Sequence, residues 1–135
     1  MLARVLITLG VAIFAIVVPA LEINASHVFN PEWPPHARLH EVWQLTTNCA
    51  IGALCLWLAW VKGNVRLAGA LTIIVMGGAL FAHAIEDSYG GSLASGNIGR
   101  TLLGLEPAAI AAGLAVILAV LAIWLGGTRK PSAEV

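Results

Sequence analysis

The chain has 135 residues, of which 59% are hydrophobic and 10% charged, with a mean hydropathy of +0.90 and a formal net charge of zero. A soluble domain carries about 25% charged residues, so this composition excludes one and reads as an integral membrane protein. With no net positive charge, no basic stripe and no Gly-rich phosphate loop, a nucleic-acid partner is excluded as well.

Four apolar runs, at about 5–22, 36–61, 67–87 and 106–126, match the ~20 residues a helix needs to cross a ~30 Å hydrocarbon layer. The expected fold is all-α: a single integral-membrane domain over 1–135, an antiparallel four-helix bundle with both termini in the cytoplasm. The cations set that orientation. Arg4, Lys62, Arg66, Arg129 and Lys130 fall at one end, with Arg38 and Arg100 at the other. The expected location is a bacterial inner membrane, with the second end facing the periplasm. Trp57, Trp60 and Trp124 near the first end, and Trp33 and Trp43 near the second, suit interfacial belts.

The first run follows Arg4 and ends at Val18-Pro19-Ala20, which a signal peptide could also present. Its apolar stretch is longer than the usual 7–15 residues, so retention as a span is the expectation and cleavage the alternative. Pro19 should kink this helix and could open a lateral gap for a lipophilic molecule.

Pro34-Pro35 opens the second helix, because proline suits a first helical turn whose N–H would be unpaired anyway. His36 and His40 then share a face at i, i+4, where two imidazoles can bind one ion. Gln44, Thr47, Asn48 and, deeper, Cys55 continue a polar stripe expected to face the bundle interior. After a tight turn at 62–66, the third helix places His83 with Glu86 (i, i+3) or Asp87 (i, i+4) at its far end. The Gly- and Ser-rich stretch 90–104 reads as a flexible linker, with a flap over the polar layer as the alternative. Glu106 and Pro107 open a fourth helix rich in alanine, which packs closely within the bundle or against a second copy.

On this arrangement all four histidines, and every acidic residue except Glu134, lie at one end: Glu22, Glu32, Glu41, Glu86, Asp87 and Glu106. Ionisable groups in lipid cost roughly 2.5–3.5 kcal/mol each, so such a layer asks for a functional or pairing explanation. The candidate catalytic residues are His36, His40, His83, Glu86, Asp87 and Glu22. His36, His40, His83 and Glu86 are the candidate metal ligands, and one zinc or iron would suit them. His27, Asn30, Trp33, Gln44 and Asn48 are candidates for orienting a substrate.

Three readings follow. The first is an enzyme acting on a lipophilic small molecule by acid–base or metal-assisted chemistry, as an isomerase, cyclase or oxygenase. The second is a non-catalytic protein that binds metal or a small ligand, or an accessory subunit. The third is a structural clasp, with Arg38 and Arg100 neutralising the acids. The expected partners are membrane lipids or the lipophilic molecule itself, and a second copy through the fourth helix.

The segment Asn24-x-Ser26-His27-x-Phe29-Asn30-Pro31-x-Trp33-Pro34-Pro35-His36-Ala37-Arg38-x-His40 resembles the signature of a poorly characterised family of small four-helix membrane proteins of fungi and bacteria. The resemblance covers the first outer loop and the start of the second helix. It implies that His27, Asn30, Trp33, His36 and His40 belong to one functional constellation, and it supplies no reaction. In architecture alone, the chain is also similar to sterol-isomerase and sigma-2-receptor type bundles.

Overall fold

A computed structural model of the chain describes residues 1–94, 101–102 and 104–127. Four helices are present, α1 (Leu2–Glu22), α2 (Pro35–Trp60), α3 (Val65–Ala84) and α4 (Pro107–Gly126), each long and apolar enough to cross a membrane. Among the described residues no β-strand forms beyond an isolated bridge between Leu102 and Leu105. Arg100, Arg129 and Lys130, on which part of the charge reading rests, lie outside the described residues.

The second helix starts at Pro35, where the paired prolines place it. The third ends earlier than its polar residues suggested. Ile85 leaves helical geometry at φ −116° and ψ 12°, and Glu86–Ser88 form a separate 3-10 turn. At the opposite end, Gly63 takes a left-handed φ of +67° in the α2–α3 turn. There Asn64 caps α3 by accepting the Leu67 N–H at 3.1 Å.

Many large side chains point outward, and the fully buried positions are rich in alanine. Ile74, Phe81, Ile117 and Trp124 are exposed, whereas Ala59, Ala68, Ala115, Ala119 and Ala122 are fully buried. In lipid the outside is as apolar as the core, so close backbone approach, rather than bulky filling, holds helices together. Gly69 marks such an approach: a Cβ there would lie 2.6 Å from Cγ1 of Ile123 on α4. Ile7, Val11 and Phe14 of α1 fill the middle against Cys55, Ala68 and Met76. The buried Thr72 hydroxyl donates to the Ala68 carbonyl at 3.0 Å, and the Cys55 thiol donates to the same oxygen at 3.5 Å. The interior therefore leaves neither group unsatisfied.

The break expected at Pro19 takes the form of a π turn. Residues Ile13–Val17 are π-helical, and the Val18 N–H bonds to the Ile13 carbonyl, five residues back. Proline has no N–H for the carbonyl four residues before it, here Ala15. The Cys49 thiol of α2 donates to that carbonyl at 3.5 Å. Near the other end of the same pair of helices, Trp60 Nε1–H donates to Thr8 Oγ1 at 2.9 Å, and the Arg4 guanidinium lies over the Trp60 ring at 5.9 Å.

Candidate functional site

The proline-rich loop after α1 is built from side-chain turns. Asn24 Oδ1 accepts the Ser26 N–H at 2.8 Å, and Asn30 Oδ1 accepts the Glu32 N–H at 2.9 Å. Asn30 Nδ2 donates to the Ser26 carbonyl at 3.0 Å, so this residue holds the loop's shape. The Val28 N–H returns to the Glu22 carbonyl at 3.2 Å, folding the loop back on the end of α1.

That fold sets His27 beside Glu22. His27 Nε2 lies 2.7 Å from Glu22 Oε2, and both side chains are largely buried. On its other side, His27 Nδ1 is 2.8 Å from Ser26 Oγ, which is 2.6 Å from Asn24 Oδ1. Trp33 packs edge-on against the imidazole, with ring centroids 5.5 Å apart.

Glu22 also lines a cavity of about 380 Å³, within the roughly 300–1,000 Å³ of small-molecule sites. Its walls are mostly apolar. They come from Ile13 and Val17 of the π turn, Met76 and Leu80 of α3, Ala108, Ala111 and Ala112 of α4, and Leu93. The polar positions are Glu22, Glu41, Gln44 and Ser92. The Glu41 carboxyl makes no hydrogen bond or ion pair with another described residue.

The other histidines form two separate pairs. His36 and His40 are exposed, with their Nε2 atoms 3.0 Å apart, and the His40 ring stacks on Trp43 at 5.8 Å. His83 Nδ1 lies 2.8 Å from Glu86 Oε2, an oxygen that also accepts the Leu93 N–H at 3.0 Å. These two bonds, the one from His83 foremost, hold the Glu86 carboxyl below its ordinary value of 4.5.

The expected shared ion site of His36, His40, His83 and Glu86 is not assembled. Among the described residues, no three His, Cys, Asp or Glu side chains gather where one ion could be held. The end of α3 at Ala84 lets Glu86 close on its own histidine. On α2 each residue turns the helix by about 100°, and the face that lines the cavity carries Glu41 and Gln44 rather than His36 and His40. Asp87 is exposed in the 3-10 turn, Thr47 is exposed, and Asn48 lies off the cavity wall.

The sequence places Glu41 in the acidic layer and Asn24 and Ser26 in the signature segment without marking any of them as a site residue, and it does not mark Leu93 at all. The signals were available in two of these cases: Glu41-x-x-Gln44 has helical i, i+3 spacing, and Asn24-x-Ser26 has the spacing of an Asx turn.

Together these observations define an all-helical protein with four helices able to cross a membrane and an apolar cavity edged by two carboxylates. Comparison with known protein families, with curated proteins and with solved structures finds no match.

Proposed function

We propose that this chain is an integral membrane enzyme that admits a lipophilic small molecule to the cavity and moves protons on it through Glu22 and Glu41. The reaction class is an isomerisation or cyclisation driven by acid–base chemistry. The observation that carries this reading is the cavity itself, apolar on most sides, with the Glu22 carboxyl backed by His27 and the Glu41 carboxyl without a hydrogen bond or ion pair among the described residues. Two carboxyls in unlike surroundings are suited to opposite tasks, one giving a proton and the other taking one. Such groups contribute about 10²–10⁴-fold each to rate.

The bundle is antiparallel on this reading. In support, Gly126 at the end of α4 lies against Val65 at the start of α3. The cavity faces away from the cytoplasm, because Arg4, Lys62 and Arg66 occupy the opposite end, and in a bacterium it opens beneath the periplasmic leaflet.

The test works while the substrate is still unidentified. The full-length protein in lipid nanodiscs is incubated with a total lipid extract in heavy water, and the lipids are searched by mass spectrometry for deuterium at carbon. Incorporation that disappears in Glu22→Gln and Glu41→Gln supports the reading. In parallel, a long-chain alkyl alcohol bearing a diazirine should label Leu80 and Leu93, and Ala111→Phe should block that labelling. Labelling without deuterium exchange would instead make the protein a carrier. Labelling spread evenly over the outer faces would remove the pocket from consideration.

A further inference from the structure

We infer that Glu22 and His27 hold one transferable proton between them, and that Ser26 and Asn24 keep it there by fixing the tautomer of His27. The inference rests on the proposed function only in taking Glu22 as the group that meets the ligand. The position of the proton follows from the hydrogen bonds alone.

A backbone amide anchors the whole network. The Ser26 N–H can only donate, so the Asn24 atom 2.8 Å from it is the carbonyl oxygen, and the orientation of that amide is set. Ser26 Oγ lies 2.6 Å from the same oxygen, which can only accept, so the single hydroxyl hydrogen of Ser26 points there. Ser26 then has only lone pairs to offer His27 Nδ1 at 2.8 Å, and Nδ1 must carry a hydrogen. A neutral imidazole with hydrogen on Nδ1 has a bare Nε2. That nitrogen sits 2.7 Å from Glu22 Oε2, a separation two bare acceptors do not keep. One proton therefore lies between them, on Glu22 as a carboxylic acid or on His27 as an imidazolium.

The alternative tautomer shows what Ser26 contributes. With hydrogen on Nε2, a neutral His27 would satisfy an ionised Glu22 by itself, and the pair would hold one proton fewer. The Ser26 hydroxyl closes that option and so keeps Glu22 able to act as an acid at the cavity wall. Glu22 is the catalytic residue in this arrangement. His27, Ser26 and Asn24 are positioning residues, and Trp33, edge-on to the ring, restricts its rotation.

The experiment uses the full chain in nanodiscs with ¹⁵N-labelled histidine and ¹³C-labelled glutamate near neutral pH, with His27→Gln identifying the His27 signals. The wild type should show a protonated Nδ1, together with either a protonated-carboxyl infrared band that Glu22→Gln removes or an imidazolium at His27. Ser26→Ala should move the ring to the neutral Nε2–H tautomer and abolish whichever of the two signatures the wild type shows, while Ser26→Thr, which keeps the hydroxyl, should restore the wild-type spectrum. Circular dichroism confirms that each variant folds. A neutral wild-type His27 with a bare Nδ1, or a Ser26→Ala spectrum identical to wild type, would overturn the inference. Diazirine-alcohol labelling of the same samples separates the two proposals. Loss of labelling at Leu80 and Leu93 with the tautomer shift intact defeats the pocket alone; retained labelling with an insensitive tautomer defeats the relay alone.

Discussion

The Cys49 thiol donates to the carbonyl of Ala15, the oxygen that Pro19, four residues later, cannot serve. A cysteine on the second helix thus repairs a hydrogen bond that the first helix lost to its proline. Cys49→Ala should destabilise the bundle by about 1 kcal/mol, and Cys49→Ser, which keeps a donor, by less. Reversible unfolding in mixed micelles measures both. Equal losses in the two variants would mean that the thiol acts there by packing.

Gly52 faces the same stretch of α1. A Cβ at this position would lie 2.5 Å from the Cβ of Ala15 and 3.2 Å from Cγ1 of Val11. Ala15 cannot swing its methyl away, so Gly52→Ala should cost about 1–3 kcal/mol through displaced backbone. It should also distort the π turn that lines the cavity and reduce photolabelling. Gly78 is the control, because a Cβ there meets nothing within 4 Å. Gly78→Ala should be neutral or slightly stabilising through helix propensity.

Glu86 ties the segment carrying Leu93, a cavity-wall residue, to the end of α3. Its carboxyl lies below the ordinary 4.5 in the folded protein, chiefly through the bond from His83. A depressed carboxyl contributes stability that is complete above the ordinary value and is lost as pH falls through the lowered one. The Leu93 amide, corrected for intrinsic exchange, should therefore stay protected above pH 4.5 and lose protection on further acidification. Glu86→Ala should abolish protection at every pH. Protection that is flat across the acid range in the wild type would show that the tie does not depend on charge.

His36 and His40 offer the sharpest comparison with His27. Both are exposed and bonded to each other rather than to the cavity, so His36→Ala should change stability by less than about 0.5 kcal/mol and leave deuterium incorporation intact. His27→Ala should abolish incorporation, because Glu22 loses its partner. The reverse pattern would move the chemistry to the outer face of α2.

Hydropathy and proline placement made most of the fold legible. Four apolar runs became four helices, and the Pro34-Pro35 pair marked the start of α2 at Pro35. The end of α3 was misjudged because Glu86 and Asp87 continue its helical spacing, while a 3-10 turn offers Glu86 both His83 and the Leu93 amide. The candidate site was legible only in part. The span ends put Glu22 and His27 in one polar layer, and helical spacing put Gln44 on a polar stripe of α2, but histidines paired with a neighbour at helical spacing are conspicuous and draw attention to His36, His40 and His83 first. Which face of α2 turns inward depends on packing against α1, where Cys49 and Gly52 lie against a π turn that no residue spacing announces. Asn24 and Ser26 were hidden for another reason: their part is to orient a neighbour, and a polar loop carries many residues of that kind.

A helix that bonds five residues back holds one residue more per turn than its neighbours, and one residue is about 100° of azimuth. Glu22 is downstream of that extra residue. Had these same residues wound as an ordinary α-helix throughout, Glu22 would lie about 100° off the bearing that now sets its carboxyl on the cavity wall. The bearing of the acid is thus stored about two turns upstream, in a stretch of isoleucine, valine, alanine and phenylalanine with no reactive atom of its own.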